Sequence, residues 1–117
     1  MEVVDTIRSF IIRLQGGTVK ELFILVGLKA RPGKEDELRR DLVSVVEPSR
    51  KEDGNIRYEL FVDRNDAGRF VFVEHWASIE QREKHHQEST HIQHFHANGV
   101  KNVEQTEFSF FLERLVD

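Results

Sequence analysis

Nine residues, Leu22 to Ala30, narrow the possible folds more than any other stretch of the chain. Seven of the nine are apolar and they show no helical stripe, so the segment is a strand with apolar side chains on both faces. Such a strand needs cover above and below and belongs in the middle of a layered fold. Arg31-Pro32-Gly33 ends it.

The rest of the pattern supplies the layers. Glu35 to about Lys51 has helical period, with Leu38, Leu42, Val45 and Val46 inward, and Pro48 is expected to kink or shorten its last turn. Asp53-Gly54-Asn55 reads as a turn. Ile56 to Asp63 alternates as a strand, Asn65-Asp66-Ala67-Gly68 turns the chain, and Arg69 to Trp76 completes a hairpin. Ser78-Ile79-Glu80-Gln81 fits a capping box and starts a helix. A second box, Thr90-His91-Ile92-Gln93, predicts a break near Ser89 and a short helix through Asn98-Gly99. Thr106 to Leu112 is the last strand. Val3 to Leu14 carries a helical apolar stripe that Gly16-Gly17 closes.

The order after that first helix is β-α-β-β-α-β. This is an α+β, ferredoxin-like arrangement, with helices on one face of a four-stranded antiparallel sheet. Two parts are expected: residues 1–17 as an N-terminal amphipathic helix and residues 18–117 as the ferredoxin-fold domain. The sheet face away from the helices is apolar too, since Phe108 and Phe110 lie opposite Phe111 on the last strand. Exposed, it would be a large adhesive patch, so two subunits are expected to stack sheet on sheet as a two-fold homodimer.

Composition bounds the chemistry. At 117 residues the chain is one domain, long enough to hold a core without covalent staples. It has no cysteine, which removes disulfides, thiolate zinc sites, iron–sulfur clusters and a cysteine nucleophile. With 17 Lys+Arg against 21 Asp+Glu the net charge is −4, which argues against nucleic acid as a partner. No apolar run reaches membrane-spanning length, and the acidic start Met1-Glu2-Val3-Val4-Asp5 does not resemble a secretory signal. A cytoplasmic protein without a membrane partner is the expectation.

Three phrases in order make the sequence recognisable: Asp53-Gly54-Asn55-Ile56-Arg57-Tyr58-Glu59-Leu60, then Arg69-Phe70-Val71-Phe72-Val73-Glu74-His75-Trp76, then His86-Gln87-Glu88-Ser89-Thr90-His91. Together they resemble the antibiotic biosynthesis monooxygenase family over roughly residues 22 to 115. The resemblance implies a dimeric ferredoxin-like α/β barrel with a pocket between helices and sheet in each subunit. Family activities differ: some members oxygenate phenols or quinols with O₂ and no cofactor, others open haem, and one relative isomerises a phosphorylated signal. Haem-degrading members carry an Asn on the first strand, and Phe23 to Leu28 has none. The polyketide-oxidising branch has an Asn four positions before the Trp, where this chain has Phe72. The implied function is a cofactor-independent monooxygenase acting on a small quinol or polyphenol, with no metal. The alternatives are a non-catalytic ligand-binding or stress-associated module and an isomerase of a small carbonyl compound.

The candidate site residues are His86, Trp76 and His91. Five of six histidines (His85, His86, His91, His94 and His96) fall within twelve residues. His86 lies two turns after Ile79 and shares its inward face, which would leave His85 pointing to solvent. Counting from Trp76 instead favours His85. A neutral imidazole at His86 can take a phenolic proton near neutral pH, Trp76 would wall the pocket and offer its ring N–H, and His91 would close one side. The plainer alternative makes His86 a core histidine and Trp76 core. His86, His91 and His94 could converge on a metal, but no zincin-type spacing occurs, and adventitious affinity is expected instead. Arg57 and Glu59 oppose Ile56, Tyr58 and Leu60, and the pattern leaves open which set faces the helices. Glu74 shares a face with Phe70, Phe72 and Trp76, as a pocket carboxylate or as half of an ion pair.

Overall fold

The computed structural model describes residues 20–116; the expected helix from Val3 to Leu14 lies outside them. Four strands, β1 (Leu22–Ala30), β2 (Asn55–Asp63), β3 (Asp66–Trp76) and β4 (Val103–Leu112), form one antiparallel sheet in the order β2-β3-β1-β4. β1 therefore takes the central position that its two apolar faces demand, paired with β3 on one edge and β4 on the other. Helices α1 (Glu35–Ser44), α2 (Val46–Arg50), α3 (Ile79–Glu88) and α4 (Thr90–Asn98) pack on one face, and a 3₁₀ turn, Val100–Asn102, leads into β4. This is the ferredoxin-like fold expected.

Alternation divides the sheet cleanly. Leu22, Ile24 and Leu28 of β1, Tyr58 of β2 and Phe70, Phe72 and Trp76 of β3 face the helices. They meet Leu38, Leu42 and Val45 from one side and Ile79 and Ile92 from the other. Each such side chain, fully removed from water, contributes about 1.5–3 kcal/mol. Tyr58 facing inward settles the orientation of β2: Arg57 and Glu59 lie on the far face, ion-paired to one another at 2.5 Å.

Three local details differ from the sequence pattern. The helix from Glu35 is interrupted at Val45, three residues before Pro48. Proline has no N–H to give to the carbonyl four residues back, Ser44, so the ladder loses a bond there, and at the break Val45 N–H bonds to Leu42 O. The hairpin is tighter than expected, with Asp63 paired to Asp66 around Arg64-Asn65. The second break does occur at Ser89, but Ser89 itself is the N-cap residue, and no side chain caps that helix. The Ser89 hydroxyl is used elsewhere.

Among the described residues, none covers the apolar far face of the sheet. Phe61, Phe110 and Leu112 are 49%, 52% and 43% exposed. Phe108 lies across Gly27, where an added Cβ would sit 2.4 Å from the ring. At one end, Arg69 donates to Glu107 at 2.7 and 3.1 Å and to Asp63 at 3.0 Å.

Leu38 is wholly buried at the centre of the α1–sheet contact. Leu38→Ala should destabilise the domain by about 3 kcal/mol, read as a lower urea midpoint with an unchanged denaturant slope.

Candidate active site under the histidine helices

α3 starts where the sequence places it. Ser78 accepts a hydrogen bond from Gln81 N–H at 3.2 Å, and Ala77 N–H bonds Gly54 O at 2.7 Å, tying the helix start to the turn before β2. Gly54 has φ +85°, and a Cβ there would strike Gln81. The helix then presents Ile79, Arg82 and His85 inward, all buried.

This corrects the expected histidine register. His85 is 4% exposed, not solvent-facing, and His86 is half-buried beside it. The centre of the inward face is Arg82. His85 lies roughly 60° to one side of it and His86 roughly 40° to the other, so both rings reach the interior. Aligning the face on Ile79 alone rotates it by roughly 60°, because a charged residue at the centre of a buried face gives no apolar signal.

A cavity of about 140 Å³ lies between this face and the sheet, bounded by Val26, Leu28, Phe72, Glu74, Arg82 and His86 among others. His85, Tyr58 and Phe95 also line it. It shares Arg82, His86, Phe95 and His96 with an open cleft of about 540 Å³ that runs between α4 and β4, past Val103, Ser109 and Phe111. The wall is mainly apolar and aromatic, the usual make-up of a small-molecule site.

The predicted site residues separate. His86 lines both spaces, and its ring packs 5.2 Å from that of His96. Burial, with Arg82 next, lowers its pKa to about 4, so it is neutral at pH 7. Trp76 is wholly buried and stands behind the wall, 4.7 Å from the His85 ring. Its N–H donates to Glu74 at 2.9 Å and is not free for a substrate oxygen. His91 lies outside the cavity, bonded to the Ser49 hydroxyl at 3.0 Å. Neither Trp76 nor His91 lines the cavity as expected.

His85 links the two sides. Its Nδ1 bonds Glu52, whose other carboxylate oxygen accepts from Ser89. Burial lowers the His85 pKa and the Glu52 carboxylate opposes that shift. An imidazole held by a carboxylate on one nitrogen while its ring borders a cavity is the arrangement of an oriented proton acceptor. Glu52, His85 and His91 also bring three donor atoms within 4.8 Å of one another, a set able to hold a divalent cation. The same atoms are already bonded to each other and to Ser49 and Ser89. His86 and His94 do not join them; His94 pairs with Asn98 at 3.2 Å.

Glu74 is the pocket carboxylate that the alternation allowed. Burial raises its pKa, against the Trp76 N–H and the nearby Arg82 charge. Burial likewise pushes the Tyr58 phenol far above its ordinary value, keeping it protonated.

Residues 22–98 match the family model described as antibiotic biosynthesis monooxygenase. The chain belongs to that family. It is 38% identical over 72 residues to the Bacillus subtilis (strain 168) protein named "Putative monooxygenase YcnE", covering 62% of this chain and 75% of that one. The crystal structure of PA3566 from Pseudomonas aeruginosa superposes with a TM-score of 0.77 at 29% identity, covering 86% of this chain and 100% of that one. SO0527 from Shewanella oneidensis gives 0.72 at 27% identity, over 81% and 93% of the two chains. Within the family fold, the two site residues that sequence reasoning passed over are Arg82, masked by its charge, and Glu52, which reaches His85 from 33 positions away. Among the described residues no helix is long and apolar enough to cross a membrane.

His86 gives a pH test. Its folded pKa of about 4 lies below its ordinary 6.5, so between those values the unfolded chain binds more protons. Stability therefore falls as pH drops from about 6.5 towards 4, and His86→Gln should flatten that part of the melting-temperature profile relative to the unchanged protein.

Proposed function

We propose that this protein is a monooxygenase that oxidises a small quinol or polyphenol with O₂ in the cavity beneath α3 and α4, using no organic cofactor and no metal. The observation that carries it is a mainly apolar and aromatic space with imidazoles on its border, among them a neutral His86 and a His85 held by a carboxylate. The size agrees: a cavity of roughly 150 Å³ accommodates one benzene ring.

His85, held by Glu52, takes a hydroxyl proton from the bound quinol. His86 stays neutral and hydrogen-bonds the second oxygen, fixing the ring plane. Trp76 and His91 serve as positioning residues, Trp76 packing behind the His85 ring and His91 flanking Glu52. The quinolate then passes an electron to O₂ directly. The balance closes without an external reductant: hydroquinone plus O₂ gives hydroxyquinone plus water, one oxygen atom entering the ring while the substrate supplies all the electrons.

Oxygen uptake on a panel of hydroquinones, with and without chelator, tests this. Uptake should survive chelation, and His85→Ala and His86→Ala should each lower turnover roughly 10²-fold while the fold persists. Uptake that neither change affects removes the histidines from the chemistry. No uptake, together with ligand-induced thermal stabilisation, would make the protein a binding module.

The working unit we infer is a homodimer joined through the far face of the sheet. Leu25, Val71, Val73, Phe108 and Phe110 form a continuous apolar surface there, of a kind that stable monomers rarely leave in water. Sedimentation at micromolar concentration should give twice 13.7 kDa, and Phe110→Glu should shift it towards the monomer. A monomer in the unchanged protein would overturn the inference.

A further inference from the structure

Arg82 has charge that the chain itself leaves poorly answered. The residue is 7% exposed, and among the described residues its Nε and Nη1 are buried without a hydrogen-bond partner. Its guanidinium lies 5.2 Å from the Phe111 ring centroid and borders both the cavity and the cleft. Two carboxylates lie near it, Glu74, which accepts from the Trp76 N–H, and its sequence neighbour Glu83, and neither meets Nε or Nη1 with a hydrogen bond. A buried cation with unmet donors costs several kcal/mol unless something else meets them, so its retention in a ligand-sized space calls for an anionic ligand group.

The surroundings define that group. Among the described residues neither space is lined by a second Lys or Arg, so there is one positive charge to meet, and Glu74 and Glu83 nearby oppose a dianion such as phosphate. Val26, Leu28, Phe95 and Phe111 offer a flat apolar body its contacts, with Gln105, Thr106 and Ser109 along the cleft towards β4. A guanidinium between an aromatic face and an apolar cleft matches a singly charged, planar oxyanion.

We propose that the site takes an aromatic carboxylate, with Arg82 receiving the carboxylate group while the ring occupies the apolar cavity. The hydroxyl pattern of the ring rests on the oxygenase function proposed above; the anion contact does not. The natural substrate class is then a dihydroxybenzoate-like acid and not an uncharged hydroquinone.

Anaerobic calorimetry with 2,5-dihydroxybenzoate and with hydroquinone separates the two, since they differ only in the carboxylate. The acid should bind the unchanged protein about tenfold more tightly or better, the size of one charge-assisted hydrogen bond. Arg82→Gln should bring the ratio to about one, and Arg82→Lys should restore part of it. Should the Gln variant fail to fold, the Arg82 Nε–H resonance of the unchanged protein serves in its place, shifting with the acid and not with hydroquinone. A ratio near one in the unchanged protein, a ratio that Arg82→Gln leaves alone, or a resonance that does not move would overturn the proposal. Oxygen uptake is read separately. Tight acid binding without uptake keeps the anion site and removes the oxygenase, while uptake of hydroquinone with a ratio near one does the reverse.

Discussion

Arg82 on the inner face of α3 and Glu74 on β3 beneath it are both shielded from water, and the geometry of the site follows from having to accommodate them. Burial disfavours the charged form of each, and their mutual attraction together with the Trp76 N–H offsets only part of that cost. Close packing around so polar a centre would leave it worse solvated. Instead the layers stand apart, and the space between α3 and the sheet remains open as a cavity that runs out along β4. The apolar core around Leu38, Leu42, Phe70 and Ile24 keeps that separation rigid, so the polar centre is held in place by packing elsewhere.

A second polar group works at the other side of α3. Glu52, His85 and Ser89 join the end of the first helical segment to the break between α3 and α4. Ser49 and His91 extend the same network. Because Ser89 gives its hydroxyl to Glu52, α4 begins without a side-chain cap, and the loss of a helix cap is the cost of orienting His85. His85 thus has one ring nitrogen committed to Glu52 while its ring borders the cavity.

The order and type of the elements were legible because each rests on local periodicity. The two-sided apolar run of Leu22 to Ala30 required a central strand, and the alternation of Arg69 to Trp76 required a half-buried one; the sheet order β2-β3-β1-β4 satisfies both. Ser78 and Gln81 announced the start of α3 through a hydrogen bond that depends on four consecutive residues. The break at Ser89 was legible for the same reason, though its cap was not, since the competing acceptor comes from Glu52.

What the sequence alone determined, then, is the fold class and the placing of the histidine-rich helices over the sheet, because side-chain period is a property of neighbouring residues. Which histidine faces inward was decided only by tertiary structure. Ile79 marks an edge of the buried face of α3, and its centre is a charged residue, Arg82, set between Glu74 of β3 and the Phe111 ring of β4. The same is true of Glu52 on His85, whereas the Glu74 bond to the Trp76 N–H joins two residues of one strand face. Contacts such as Glu52 to His85, 33 positions apart, and Phe111 to Arg82, 29 apart, leave no periodic trace in a sequence, and they set the geometry of the site.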